Sequence, residues 1–127
     1  MKKLKLLGAA AIILSVAAVV CTVVMVRAQG TSPQTITVTI TPNSDPTGPP
    51  SVSPDPVSVS HNQEVEWVCS NGCDFTVVFT EQTRKPFNGR IFDKANPKSG
   101  VPTGPPGKYK YSVIVGEGSV DPQIIVH

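Results

Sequence analysis

The chain has 127 residues, which is room for one small domain. Its formal net charge is +2, but 4 of the 11 basic residues lie within the first 27 residues. The remainder therefore carries 11 − 4 = 7 basic against 9 acidic residues, a net charge of −2. A net acidic domain gives no support to nucleic-acid binding, which needs a basic surface.

Residues 1–28 have the composition of a targeting segment that forms a hydrophobic helix. Three lysines precede an apolar run of 21 residues, 6–26, and small residues occupy positions −3 and −1 of a cleavage site before Gln29. The run exceeds the core of about 7–15 residues in most signal peptides and suffices to span a bilayer. The segment is either a cleaved signal or a retained anchor, with residues 6–26 in the membrane if uncleaved. Both alternatives predict an exported protein of the cell envelope, periplasmic or extracellular.

Residues 29–52 are predicted to form a short strand and a proline-rich linker. Thr35–Thr41 alternates polar and apolar residues, nearly all of them β-branched, which is typical of a half-buried strand. Six prolines between Pro42 and Pro56 exclude a helix and argue against a regular strand ladder. Residues 30–52 could either pack on the following domain or tether it to a membrane.

Short β-prone segments separated by Pro and Gly follow this linker. The predicted strands are Val57–Ser60, Glu64–Val68, Phe75–Thr80, Lys108–Val115 and Gln123–Val126, and an irregular crossover occupies residues 81–106. No helical periodicity is visible beyond the leader. The pattern predicts an all-β domain, an antiparallel sandwich or barrel.

From residue 53 onward the order of features resembles the cupredoxin family. Glu64–Val68 matches its V-x-W/F segment, Phe75–Phe79 matches H-x-V-x-F without the histidine, and Gly107–Val113 matches G-x-Y-x-Y-x-C without the cysteine. Ile124–Val126 matches the closing apolar strand. The resemblance implies a small Greek-key β-sandwich over residues 53–127.

The same resemblance argues against copper. A blue-copper site needs two imidazoles and a thiolate, usually with an axial thioether. The resemblance places Phe75, Val113 and Gly116 at the imidazole and thiolate positions, and the axial position near Asp121–Pro122. We therefore expect the scaffold without its copper site, and no cofactor.

Two further sets of residues have candidate chemistry. Cys69 and Cys73 flank Ser-Asn-Gly, which predicts a structural disulfide across a turn, with free thiols or a redox pair as alternatives. His61 and His127 are the only histidines and are weak metal-ligand candidates, because a dedicated site needs three or four convergent ligands. No catalytic motif is visible, and we expect no enzymatic activity.

The segment 84–92, here called the basic loop, carries three of the domain's cations together with two aromatic rings. We expect either that the rings anchor the loop or that the loop recognises a partner. Its candidate residues are Arg84, Lys85, Phe87, Arg90 and Phe92. The sequence predicts a non-enzymatic envelope module that binds a protein or glycan or has a structural role. The alternative is a metal-binding or electron-transfer protein that uses His61 and His127.

Overall fold

The computed structural model describes residues 32–127, of which Pro33–His127 form one compact unit. This part of the chain contains ten strands and no helix, which confirms the all-β prediction. Accordingly, residues 32–127 include no helix long and apolar enough to cross a membrane. The predicted leader, residues 1–28, lies outside the described residues. The strands are β1 (Gln34–Thr41), β2 (Ser51–Ser53), β3 (Val57–Val59), β4 (Gln63–Cys69), β5 (Thr76–Val78), β6 (Ile91–Asp93), β7 (Gly107–Lys110), β8 (Ser112–Val115), β9 (Gly118–Val120) and β10 (Gln123–Val126).

The first sheet has the strand order β2-β1-β4. β1 is parallel to β4, with Val38 opposite Trp67, and antiparallel to β2. Alternation in β1 places Val38 and Ile40 on the buried side and the threonines outside. The strand expected within residues 29–52 is thus the central strand of a sheet, and its inner face belongs to the core.

Two further sheets share one continuous segment of chain. The second sheet has the order β3-β10-β7, and the third, wholly antiparallel, has the order β6-β5-β8-β9. β10 is parallel to β3 and antiparallel to β7. Tyr111 alone separates β7 from β8, and its N–H donates to the carbonyl of Pro122 at 3.0 Å. The chain changes sheets at this residue, so the predicted strand Lys108–Val115 is two strands.

Five rings fill one part of the core, and we call them the aromatic cluster: Trp67, Phe79, Phe87, Phe92 and Tyr111. Trp67 stacks on Phe92 at 5.1 Å between centroids, and Phe79 stacks on Tyr111 at 5.2 Å. The other ring pairs meet edge to face, the favourable alternative for two quadrupoles. The cluster joins Trp67 of β4 and Tyr111, which directly precedes β8, to the two phenylalanines of the basic loop.

Three short strands differ from the sequence-based expectation. β2 lies within the proline-rich segment, where Pro50 and Pro54 flank three residues whose N–H groups remain free to pair with β1. β6 lies in the predicted crossover and β9 in the predicted turn of residues 116–122. Each has three residues, too few to show a period, and its partner strand defines it.

Candidate functional site

The disulfide loop, residues 69–73, closes the end of β4. The cysteine sulfurs lie at disulfide distance and the Cα atoms are 5.5 Å apart, within the range that a disulfide requires. Asn71 Oδ1 accepts a hydrogen bond from the Cys73 N–H at 3.1 Å, and Gly72 has φ of +73°. The predicted disulfide is therefore present in the structure, across the predicted turn.

An open cavity of about 290 Å³ lies beside this loop. Its lining includes Trp67, Phe75 and both cysteines of the disulfide, and Glu66 and Lys94 contribute charged side chains. Lys94 Nζ donates to the carbonyl of Gly72 at 2.8 Å, which ties the turn after β6 to the disulfide loop.

The positions where the resemblance would place copper ligands do not form a polar site. Phe75 and Val113 are buried in the hydrophobic core, with 5% and 0% of their surface exposed. Gly116 is an exposed turn residue between β8 and β9, with φ of +58°, beside a smaller cavity of about 140 Å³. That cavity is also lined by Asp45, whose carboxyl pKa is lowered because it accepts hydrogen bonds from the N–H and hydroxyl of Thr47.

His61 holds two distant parts of the backbone together. Its Nδ1 lies 2.9 Å from the carbonyl oxygen of His127, and its Nε2 lies 3.1 Å from that of Gly104. Both ring nitrogens face carbonyl acceptors, so neither directs a lone pair outward for a metal. Within residues 32–127 no three His, Cys, Asp or Glu side chains converge in a metal-binding arrangement.

The two phenylalanines of the basic loop point inward. Phe87 is fully buried and Phe92 is 4% exposed, and both belong to the aromatic cluster. They anchor the loop, as one of the two sequence-based alternatives expected, and neither ring is presented to a partner.

The cations of the basic loop remain at the surface or half-buried. The Arg84 guanidinium lies over the Tyr109 ring, 4.8 Å from its centroid. Lys85 Nζ donates to the carbonyl of Asn88 at 2.8 Å, and Arg90 donates to that of Gln82 at 2.6 Å. Each charge is positioned by a ring face or a neutral carbonyl.

Buried tyrosines connect this loop to the core. Desolvation raises the pKa of Tyr111 to about 12, although the hydrogen bond that Trp67 Nε1 donates to its hydroxyl at 3.5 Å acts in the opposite direction. Tyr109 donates its hydroxyl to the carbonyl of Pro105, four residues earlier. Neither hydroxyl faces an open surface, so both tyrosines contribute to packing rather than to a binding surface.

Sequence reasoning missed the contact between the basic loop and the start of β7. Gly107 packs so closely on Arg84 that a β-carbon there would lie 2.7 Å from Nη2. No pattern in the sequence indicates this contact.

Comparisons with protein-family models, with curated proteins and with solved structures find no match.

Proposed function

We propose that this chain is an exported, non-enzymatic module of the cell envelope with a binding or structural role. In this proposal it is built on a cupredoxin-like Greek-key sandwich that has no copper site. The observation that carries the proposal is the burial of Phe75 and Val113 in the hydrophobic core. Neither side chain offers a lone pair to a metal, and the packed core leaves those positions to apolar contacts.

The arrangement of strands supports the scaffold. The segments that resemble cupredoxins contain or overlap β4, β5, β7, β8 and β10. A blue-copper site requires the histidine-bearing and cysteine-bearing segments to be neighbours, and β5 pairs directly with β8, with Val77 opposite Val113. Phe75 immediately precedes β5, where Thr76 is opposite Ile114, so Phe75 and Val113 lie near each other, as the resemblance requires.

The disulfide supports export. Disulfides persist in oxidising compartments outside the cytosol, and Cys69–Cys73 is at bonding distance in the folded domain. The basic and apolar leader of residues 1–28 is the second support. The intact mass of the protein isolated from its host tests both. We expect a mass lower by two hydrogen atoms than that of the reduced chain. The same mass will correspond either to a chain that begins at Gln29 or to one that retains the leader.

Metal analysis tests the missing copper site. The full chain, incubated with Cu(II) and then dialysed, should retain no stoichiometric copper and show no blue thiolate–copper absorption. Tight stoichiometric copper that His61→Ala abolishes and Ser58→Ala leaves intact would overturn the proposal in favour of the metal-binding alternative. The contacts of both His61 ring nitrogens with backbone carbonyls weigh against that alternative.

A further inference from the structure

The disulfide loop and the basic loop each contain an asparagine followed by glycine, Asn71–Gly72 and Asn88–Gly89. An asparagine before glycine is especially prone to lose its side-chain amide, because glycine has no side chain to shield its backbone nitrogen. All four residues are exposed to solvent. Exposure therefore does not distinguish the two pairs, whereas their hydrogen bonds do.

The disulfide loop restrains its asparagine. Asn71 Oδ1 accepts a hydrogen bond from the Cys73 N–H at 3.1 Å, and the Gly72 N–H donates to the carbonyl of Cys69 at 3.0 Å. The disulfide closes the same turn. Both the amide that would be lost and the nitrogen that would attack it are therefore engaged.

Asn88–Gly89 has neither restraint. Among the hydrogen bonds within residues 32–127, none involves the side chain of Asn88 and none has the N–H of Gly89 as its donor. Lys85 Nζ donates to the carbonyl oxygen of Asn88 at 2.8 Å, and that carbonyl belongs to the same peptide group as the nitrogen of Gly89. A cation at this oxygen stabilises the negative charge that forms when the nitrogen loses its proton.

The other asparagines are excluded by their surroundings. The carboxamide oxygens of Asn43 and Asn62 accept hydrogen bonds at 3.0 and 2.8 Å, from a backbone N–H and a serine hydroxyl two residues away. Asn96 precedes a proline, which has no N–H to lose. All five asparagines of the chain lie among the described residues. Asn88 alone combines a free carboxamide with a free N–H on the next residue.

We propose that Asn88 is a site of spontaneous deamidation through a cyclic imide with Gly89. The Gly89 nitrogen gives its proton to hydroxide and attacks Cγ of Asn88. The new nitrogen–Cγ bond forms, the Cγ–Nδ2 bond breaks, and ammonia leaves after taking a proton from water. Water then opens the imide to aspartate or isoaspartate, which places a carboxylate in the basic loop. The reaction needs no metal and no partner, so it is independent of the proposed function.

Incubation of the full, disulfide-bonded chain at mildly alkaline pH, followed by digestion at acidic pH and peptide mass mapping, tests the proposal. The peptide that contains Asn88 should gain mass as NH₂ is replaced by OH, with release of an equal amount of ammonia. Its rate should be at least about tenfold that of the Asn71 peptide, because two hydrogen bonds must break before Asn71 reacts. Asn71 is the matched control, since the dipeptide and its exposure are the same.

Three changes of condition or sequence separate the effect of the fold from that of the dipeptide. Reduction of the disulfide should accelerate the reaction of Asn71 and leave that of Asn88 unchanged. Unfolding in urea should bring the two rates together. Lys85→Gln should slow the reaction of Asn88 about threefold, the effect of one exposed charge, whereas Lys85→Arg should retain the rate.

Equal rates at the two asparagines of the folded chain, or a faster reaction at Asn71, would overturn the assignment. A difference between them that persists in urea would show that the fold does not select Asn88. Acceleration in Lys85→Gln would refute the role of the cation, because it would mean that the ammonium group restrains the loop.

Discussion

The disulfide loop and the basic loop lie largely outside the strands, but they are held in different ways. A covalent bond between residues four apart closes the disulfide loop, whose central residues are exposed. Phe87 and Phe92, buried in the aromatic cluster, hold the basic loop. Release of a loop that is anchored by buried rings disrupts the core as well, whereas a short disulfide constrains only the turn that it closes. The basic loop should therefore be the costlier of the two to release.

The largest expected effect is on the buried anchor. Phe87→Ala should lower the free energy of unfolding by about 3–5 kcal/mol, because it removes a fully buried ring and leaves a cavity among the remaining rings. Urea denaturation measures this. Ile91→Ala is the control, since that side chain is 62% exposed, and it should change stability by less than about 0.5 kcal/mol. Equal costs for the two variants would show that the ring does not anchor the loop.

The next effect concerns the ionisable group of the same cluster. Burial raises the pKa of Tyr111 to about 12 from 10. Between pH 10 and 12 the unfolded chain loses this proton while the folded chain keeps it, so stability is full below pH 10 and falls as the pH rises towards 12. The loss should be at most about 2–3 kcal/mol. Tyr111→Phe should abolish this component of the alkaline destabilisation, and an identical pH profile in both proteins would contradict it.

Removal of the covalent closure should cost less than loss of Phe87. Cys69→Ala/Cys73→Ala should lower the free energy of unfolding by about 2 kcal/mol, the chain-entropy value for so short a loop. Chemical reduction of the unmodified protein should give a similar decrease. A loss greater than that of Phe87→Ala would reverse the comparison between the two loops.

The smallest effect is at the tip of the disulfide loop. Gly72 has φ of +73° and no atom within 4 Å of where a β-carbon would stand, so the cost of a side chain comes from the backbone conformation alone. Gly72→Ala should destabilise the protein by about 1 kcal/mol. Gly72→Asn should cost less, because asparagine adopts this conformation more readily. Thermal unfolding of both variants would show whether that order holds.

Long alternating segments made much of the fold predictable. The strand at Gln123–Val126 has its predicted bounds, β1 begins one residue earlier than predicted, and β4 is one residue longer at each end. In β1 and β4, apolar residues at every second position indicate both the strand and the face that is buried. Strands β2, β6 and β9 could not be predicted, because each has only three residues and is defined by hydrogen bonds to its partner strand.

The candidate sites were predictable to different degrees. The spacing of Cys69 and Cys73 around Asn-Gly was enough for the disulfide. The inward orientation of Phe87 was one of two alternatives, since a loop sequence has no period that assigns a face. The contact of Arg84 with Tyr109 depends on how β7 packs beside the loop, and only the folded chain provides that information.

The position of β10 determines when the domain can be completed. β10 lies between β3 and β7, and Ile124 is opposite Val57, which precedes it by 67 residues. The second sheet therefore lacks its central strand until residues 123–126 have been synthesised and have paired with β3 and β7. Pairings across such long stretches of chain form late, because their loop-closure entropy must be overcome first. If the chain is exported, the second sheet can be completed only after residues 123–126 have crossed the membrane.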